Sequence, residues 1–421
     1  AKQGKASAHG EPLGVENVEA LRKNLNWPSE EPFFVPEEVY KNYSEIAEQK
    51  AEVEAAWNVM FAAYCEEYPE MEALWNQYHN AKAGEALKDD AGFWAKQEKP
   101  EASRAISGRL INYIKDVLPN LFGGSADLAP SNKTNMKDAG DFSKEDRAGR
   151  NLHFGVRELA MAAIGNGIML HGGLRAYVST FFVFSDYMKA AMRISALMEQ
   201  PVISILTHDS IGVGEDGPTH EPVEQEAQVR LLEKLKNHKG HNSMLVLRPA
   251  DVVETTVAWK LAMENVYTPT ALILSRQNIT DLPAKENRYQ EALQAEKGAY
   301  IVNEDANADV ILLASGSEVS TLVEGAALLR AEGIKVRIVS VPSEGLFRSQ
   351  SKEYQESILP AGSRIFGLTA GLPVNLEGLV GPNGKVWGLE SFGFSAPYKV
   401  LDEKLGFTAK NVYNQVKELL A

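Results

Sequence analysis

The stretch HDSIGVGEDGPTH, from His208 to His220, contains two of the chain's eight histidines and follows the apolar run VISILT. Imidazole nitrogens can donate hydrogen bonds to oxygen atoms, and the carboxylate of Asp216 can accept them from hydroxyl groups. Three glycines let this backbone bend and approach a ligand closely. The stretch therefore indicates a ligand-binding loop, although a surface loop with locally bonded histidines would have the same composition. The H-x₁₁-H spacing without a cysteine does not fit a zinc site.

A second candidate is Glu158 in NLHFGVRELAMAAIGNGIML, where it begins an alanine-rich helical pattern with apolar neighbours on nearly all sides. A carboxylate at this position can stabilise the N-terminus of the helix. It can also be buried for chemistry, since buried carboxyl groups with altered proton affinity concentrate at functional sites. The residues alone leave both interpretations open.

Three aromatic residues recur every third position in STFFVFSDYM, namely Phe181, Phe184 and Tyr187. The spacing predicts a helical turn that places the three rings along one stripe. Such a stripe is more often part of a core than of a cofactor pocket. It would also fit a flat heteroaromatic ring, because aromatic pairs contribute about 0.5–1.5 kcal/mol beyond area burial.

Candidate anion-binding groups lie in other segments. GGSADLAPSN places Ser131 in a turn-rich stretch, where a serine and backbone N–H groups can hold a phosphate. Arg104 and Arg276 are each set in otherwise apolar text. A guanidinium fork matches phosphate oxygens bidentately, although a lone arginine in such text is usually a structural ion pair.

Composition limits the classes of partner. The chain has 421 residues and a net charge of −14, which argues against binding nucleic acid or an anionic membrane. A single cysteine excludes an internal disulfide and favours a reducing, cytoplasmic location. No apolar run approaches the roughly 20 residues that span a bilayer, and the N-terminus lacks the charged-then-apolar order of a signal peptide.

The elements that must position these residues follow two patterns. Residues 35 to about 95 have helical apolar spacing, rich in Ala and Glu. Later residues alternate between short apolar runs and amphipathic helical stretches, which predicts α/β layers with parallel sheets. Polar groups after the runs should meet at the carboxyl edge, where ligands bind. The apolar runs are contained in NLFGG, AYVSTFF, VISILTHDS, MLVLRPAD, ALILSRQN, VILLASGSE, VRIVSVPS, RIFGLTAG and VWGLESFG.

Taken together, the motifs resemble those of the transketolase family. GGSADLAPSN, GVRELAM, STFFVF, THDSIGVGEDGPTHEP, LRPAD and LSRQN occur in the family's order, and HGEPLG at His9 matches a further family element. The resemblance implies a helical linker arm over residues 1–90, a pyrimidine-binding α/β domain over 91–283 and a C-terminal α/β domain over 284–421, both with parallel sheets.

The resemblance also implies roles for the candidate residues. Glu158 would hydrogen-bond the aminopyrimidine ring of thiamine diphosphate, and Phe181, Phe184 and Tyr187 would line its pocket. His9 would reach cofactor and substrate, and His220 would shuttle a proton at the reacting end of the sugar. The expected sugar phosphate ligands are Arg104, Ser131, His208, Asp216, His220 and Arg276. The expected reaction is transfer of a two-carbon ketol unit from a ketose phosphate to an aldose phosphate, with dihydroxyacetone synthase as a related alternative.

The family's diphosphate-binding domain holds a divalent metal, Mg²⁺ or Ca²⁺, through a Gly-Asp-Gly stretch that does not occur in this chain. That absence predicts that the N-terminal domain is missing and that no metal ligand lies in these residues. The chain would then form a homodimer with the active site at the subunit interface. It would act either with a separate N-terminal domain or subunit, as in a split enzyme, or as an inactive dimerising fragment. An acidic interaction module is the remaining alternative.

Overall fold

The computed structural model describes residues 2–79, 83–95 and 100–421. The chain divides into two compact units, Ala1–Leu74 and Trp75–Ala421. All but one of the predicted site residues lie in the second unit. The exception is His9, which belongs to the first unit.

The residues from Glu37 onward are helical, as their apolar spacing predicts, and the segment before them contains two further helices. The longest helix has 31 residues, begins after Pro36 and contains no internal glycine or proline to interrupt it. Pro69 begins the next helix, because proline is tolerated at a first helical position. The helices are α1 (Ser7–Gly10), α2 (Val15–Asn24), α3 (Glu37–Glu67) and α4 (Pro69–His79).

The first sheet of the second unit has six strands in the order β2-β1-β3-β4-β6-β5, and every neighbouring pair is parallel. Its central strands are buried on both faces, which explains their continuous apolar runs. The strands are β1 (Leu121–Ser125), β2 (Asn151–His153), β3 (Arg175–Phe181), β4 (Ile203–Thr207), β5 (Leu245–Leu247) and β6 (Thr270–Leu274). The helices are α5 (Ala83–Lys88), α6 (Ser103–Val117), α7 (Ala129–Asn132), α8 (Glu158–His171), α9 (Ser185–Leu197), α10 (Gln225–Lys234) and α11 (Val252–Glu264).

The second sheet has five strands in the order β11-β10-β8-β9-β7. Its edge strand β7 runs antiparallel to β9, whereas the other pairs are parallel. The strands are β7 (Tyr300–Glu304), β8 (Val310–Ala314), β9 (Val336–Ser340), β10 (Ile365–Leu368) and β11 (Lys385–Trp387). The helices are α12 (Arg288–Ala292), α13 (Glu318–Ala331), α14 (Glu344–Arg348), α15 (Lys352–Ile358), α16 (Val374–Val380), α17 (Tyr398–Leu405) and α18 (Ala409–Leu420).

A buried arginine joins the two sheets. Arg248 follows β5, is 1% exposed and lies 2.8 Å from the carboxylate of Asp209. It also makes a bidentate ion pair with Glu318, the first residue of α13. Removing one partner from such a buried pair costs about 3–5 kcal/mol. The carboxyl end of β4, which precedes the 208–220 loop, is therefore fixed to the C-terminal sheet.

The fold class agrees with the sequence analysis, since two α/β sheets with mainly parallel strands follow a helical N-terminal region. Strands β1, β3–β6 and β8–β11 lie in the predicted apolar runs. Strands β2 and β7 are not predicted, because β2 has three residues and β7 is only half apolar. No helix among the described residues is long and apolar enough to cross a membrane.

Candidate functional site

Several of the predicted site residues of the second unit lie at the carboxyl ends of neighbouring strands. The short helix α7, which carries Ser131, follows β1, and Phe181 is the last residue of β3. His208 follows β4 and Arg276 follows β6. These four strands are consecutive in the order β1-β3-β4-β6. The sheet topology therefore gathers the groups at one edge, as the parallel-sheet prediction requires.

Basic side chains meet around His208. One guanidinium nitrogen of Arg104, Nη1, donates to the backbone carbonyl of Ser131 at 2.5 Å and lies 3.3 Å from His208 Nε2. Burial, followed by the nearby charge of Arg276, lowers the pKa of Arg104. Among the described residues, neither Arg276 nor the hydroxyl of Ser131 has a hydrogen-bond partner. The cluster thus retains donors for an anion.

A hydrogen-bond chain fixes the tautomer of His208. The Thr207 hydroxyl donates to Asn132 Oδ1 at 2.7 Å and lies 2.8 Å from His208 Nδ1. The hydroxyl has one proton and uses it on Asn132, so Nδ1 of His208 must carry the proton that it donates to Thr207. Nε2 is then the acceptor, and Arg104 donates to it.

The ring of His208 is held neutral. Burial, together with the nearby charges of Arg104, Arg276 and His220, lowers its pKa to about 3. His208 also has a positive φ of 61°, which is uncommon for a residue with a side chain. The backbone conformation and the hydrogen bonds together orient this ring.

The predicted aromatic residues form one cluster with both histidines. Phe181 stacks on His208 with ring centroids 3.6 Å apart, and its ring is nearly parallel to that of Phe184 at 6.1 Å. Phe184 and Tyr187 are 6.3 Å apart. His220 lies edge-on to Phe184 at 5.4 Å and to Phe181 at 6.1 Å. The two ends of the 208–220 loop therefore return to the same rings.

The helical stripe expected for these rings is not what the chain forms. Phe181 ends β3, Phe184 closes the 3₁₀ turn Phe182–Phe184, and Tyr187 lies in the first turn of α9. The three-residue period survives because a 3₁₀ turn has about three residues per turn. Tyr187 is 65% exposed, whereas Phe181 is 6% exposed. Ring exposure thus increases along the row.

The loop between the histidines folds back on itself. Residues Ile211–Val213 form a 3₁₀ turn, and Gly214 and Gly217 have φ values of 87° and 72° that favour glycine. A Cβ atom on Gly212 would lie only 2.1 Å from the side-chain oxygen of Gln277. Asp216 is exposed. Gly214 and Gly217 therefore permit turns of the backbone, and Gly212 permits the close approach of Gln277.

Glu158 and His9 complete the set. Glu158 is the first residue of α8, is 9% exposed and has no hydrogen-bond partner among the described residues. Helix α8 begins at the carboxyl edge of the sheet because it leads into β3, and it packs against α9. His9 lies in α1 of the first unit and is exposed. The described residues contain no cluster of three His, Cys, Asp or Glu side chains placed for a metal ion.

Several contributors to this site are given no role by the sequence analysis, although it places Asp209 and Arg248 directly after apolar runs. Thr207, at the end of β4, donates to Asn132 in α7, the helix that follows β1, and both residues lie inside quoted motifs. Asp209 and Arg248 fix the loop from the opposite side. The available signal was the polar residue that follows each apolar run, as with Arg248 in LRPAD.

Comparison with protein families extends this description to the whole chain. The models of the transketolase pyrimidine binding domain and the transketolase-like C-terminal domain match residues 99–281 and 298–408. The model of the transketolase thiamine diphosphate binding domain matches residues 1–83. The expectation that this N-terminal domain is absent is therefore wrong. The Gly-Asp-Gly motif tests a single ligand-binding turn, whereas the matched residues are the helical segment interpreted as a linker arm. The match to residues 1–83 also contradicts the description of the chain as one that lacks this domain.

Individual relatives agree. The chain is 44% identical to the transketolase of Halalkalibacterium halodurans over its whole length, covering 61% of that protein. It is 43% identical to the chloroplastic transketolase of Craterostigma plantagineum, covering 79% of it. A crystal structure of Pichia stipitis transketolase with sedoheptulose 7-phosphate has a TM-score of 0.85 and 34% identity, over 97% of this chain and 59% of that one. The chain thus spans about three fifths of the length of the H. halodurans relative. By these matches, the chain belongs to the transketolase family.

Proposed function

We propose that this chain takes part in thiamine diphosphate-dependent transfer of a two-carbon ketol unit from a ketose phosphate to an aldose phosphate. One observation carries the proposal: His208, flanked by Arg104 and Arg276, stacks on Phe181. A set of anion-binding groups therefore adjoins an aromatic cluster at one edge of one sheet. The anion-binding groups fit a substrate that carries a phosphate at one end. The adjoining aromatic cluster fits a cofactor that has a flat ring.

The residues present fit the ring of the cofactor. Glu158 is 9% exposed and has no hydrogen-bond partner in the described chain, so its carboxyl group is available to a ligand. We assign Glu158 to hold a proton against a ring nitrogen of the aminopyrimidine. Phe184, Phe181 and Tyr187 would pack against that ring, and His9 stays a proposed ligand of the cofactor and the substrate. Thiamine diphosphate supplies the electron sink for carbon–carbon bond cleavage when bound.

The phosphate of the sugar would occupy the basic cluster. Arg104 and Arg276 would donate charge-assisted hydrogen bonds, which contribute about 1.5–3 kcal/mol each. Ser131 and His208 would complete the phosphate ligands. In the unliganded tautomer Nε2 of His208 accepts from Arg104, so a phosphate oxygen can accept a hydrogen bond from this ring only after Nε2 gains a proton. Asp216, exposed on the loop, would accept a hydrogen bond from a sugar hydroxyl.

His220 would act at the reacting end. Its ring is half-buried and lies against the edges of the aromatic cluster. An imidazole there can take a proton from a hydroxyl group next to the bond that breaks, and can return it. We therefore assign proton transfer to Glu158 and His220, with His9 assisting.

The remaining expectations stay proposals. We keep the division into residues 1–90, 91–283 and 284–421, and a divalent metal, Mg²⁺ or Ca²⁺, with the cofactor.

We also propose a homodimer with the active site at the subunit interface. The exposed apolar side chains of α8 and α9 support it, since large exposed apolar patches mark interaction sites. They include Leu159, Ile164, Leu170, Tyr187, Ile194 and Leu197. The single, buried cysteine fits a cytoplasmic location.

The substitution Glu158→Gln tests whether the Glu158 carboxyl group holds a proton against the aminopyrimidine ring of the cofactor. We expect ketol transfer to fall about 10²-fold or more, since positioned acid–base groups contribute about 10²–10⁴-fold. Thermal unfolding should be unchanged, because Glu158 has no partner within the described chain. The control is Glu145→Gln, an exposed carboxyl in the same sheet domain. Wild-type turnover in Glu158→Gln, or no binding of thiamine diphosphate to the unaltered chain, would contradict the proposal.

A further inference from the structure

A segment of the C-terminal domain, residues 391–396, lies on the 208–220 loop. The hydroxyl of Ser395 donates to the carbonyl of Glu215 at 2.5 Å. A Cβ atom on Gly217 would lie 3.0 Å from that of Ser395. Gly393 is buried, whereas its neighbours Phe392 and Phe394 are 69% and 57% exposed. The segment thus connects the C-terminal domain to the loop that ends at His220.

Beneath this segment lies a carboxyl group that the proposed reaction does not use. Glu221, the residue after His220, is 2% exposed, and neither carboxylate oxygen has a hydrogen-bond partner within the described chain. A Cβ atom on Gly393 would lie 1.8 Å from Oε2 of Glu221, so only glycine permits this approach. Burying an unpartnered charge is far more costly than burying a neutral carboxyl group. The closed arrangement therefore favours a protonated Glu221.

The groups around Glu221 supply little compensation for a charge. Ile211 and the backbone of Gly393 and Phe394 face it, and neither the 3₁₀ turn Ile211–Val213 nor the 391–396 segment carries an ionisable side chain. Burial raises the pKa of Glu221 to about 7, and the N–H of Phe394 opposes this effect without forming a hydrogen bond of normal geometry. The causes of this shift do not include the sequence neighbours His220 and Glu224, nor Lys399 and Asp402 of α17, the helix that packs on the 3₁₀ turn.

We propose that Glu221 is a positioning residue: its neutral carboxyl group lets the 391–396 segment close on the 208–220 loop, and its ionisation loosens that contact. The carboxyl group acts through the loop and does not touch the reacting atoms. The C-terminal domain thereby acquires a role in placing His220. Only the catalytic consequence rests on the proposed ketol transfer, since the contact itself is independent of any substrate.

Hydrogen exchange measured by mass spectrometry at pH 6 and pH 8 tests the contact without a catalytic assay. Once intrinsic exchange rates are corrected for, opening of residues 212–221 and 391–396 should increase about tenfold between the two values. This follows because the closed state ionises near 7 and an open state near the ordinary value of 4.5. In Glu221→Gln, which mimics the neutral form, the ratio should fall to about one.

Two further variants sharpen the result. Glu224→Gln removes a half-buried carboxyl three residues away and should retain the tenfold ratio. Gly393→Ala inserts a methyl group into the contact and should give fast exchange at both pH values. Equal ratios in wild type and Glu221→Gln, or loss of the ratio in Glu224→Gln, would overturn the proposal.

A catalytic measurement then separates this proposal from the proposed function. The KM for a phosphorylated ketose should rise from pH 6 to pH 8 more in wild type than in Glu221→Gln. Absence of ketol transfer alongside the expected exchange result would refute the ketol-transfer assignment and leave the contact established.

Discussion

The 208–220 loop is bordered by two copies of the same dipeptide, Thr207–His208 and Thr219–His220. In both, the threonine hydroxyl lies 2.8 Å from Nδ1 of the histidine that follows it. The first pair is buried and continues through Asn132 on one side and Arg104 on the other. In the second, Thr219 is exposed and His220 is half-buried.

The difference shows that surroundings rather than local sequence assign the two histidines their roles. His208 is fixed in tautomer and held neutral by buried neighbours, so it suits recognition of one end of a substrate. Within the described part of the chain, His220 contacts the Thr219 hydroxyl and the edges of Phe181 and Phe184, which leaves Nε2 able to exchange a proton with a ligand. Substitutions at matching positions should therefore have different consequences at the two ends.

The largest effect is expected for His220→Ala. Loss of a proton-transferring group should lower kcat about 10²-fold or more, to a similar degree for phosphorylated and unphosphorylated ketoses. Steady-state kinetics with both kinds of donor measures this. An exposed histidine outside the site, His238, provides the control substitution. A change confined to KM would contradict the role in proton transfer.

Arg276→Ala should act at the other end. We expect KM for phosphorylated ketoses to rise about 10- to 100-fold, since a charge-assisted hydrogen bond contributes about 1.5–3 kcal/mol. The KM for the unphosphorylated sugar should change little. Arg147→Ala, which removes an exposed guanidinium, is the matched control. Equal increases for both donors would exclude phosphate binding by Arg276.

Acid should destabilise the folded protein through His208. Its pKa in the folded state is about 3 against an ordinary 6.5, so below pH 6.5 the unfolded chain takes up a proton that the folded chain does not. Between pH 6.5 and 5 this linkage removes about 2 kcal/mol of stability. Denaturant unfolding of wild type and His208→Gln should show that the variant lacks this loss. Parallel pH profiles would show that His208 is not held neutral.

The smallest expected effect is the loss of unfolding free energy when each of the two threonines is replaced by valine. Thr207→Val removes the acceptor of the buried His208 Nδ1–H and should cost about 1–2 kcal/mol of unfolding free energy. Thr219→Val removes the same contact at an exposed position and should cost less than about 0.5 kcal/mol. Equal losses from the two substitutions would mean that the burial difference has no energetic consequence.

Much of the arrangement could be predicted, because a parallel sheet brings the residues after its strands to one edge. Apolar runs identify β4 and β6, and the next residues include His208 and Arg276. The short, polar β2 and the antiparallel β7 lack such runs. The tautomer of His208 could not be predicted, since it depends on Asn132 and Arg104, which are 76 and 104 residues away in the chain. Only the strand order places them together.

The N-terminal residues show a different limit. Their helices could be predicted from composition, since α3 has no residue that interrupts a helix. Their membership in the thiamine diphosphate binding domain could not, because the family element HGEPLG at His9 does not distinguish that domain from a linker arm. Helical periodicity describes local structure and says little about the domain to which a helix belongs.

The most direct test of the account measures how strongly each variant prefers a phosphorylated donor. The quantity is kcat/KM for fructose 6-phosphate divided by kcat/KM for fructose, determined for wild type, His208→Ala and His220→Ala. The account predicts that His208→Ala loses most of this preference and that His220→Ala keeps it while losing turnover. Similar preferences in the two variants would contradict the division of the loop into a phosphate end and a reacting end.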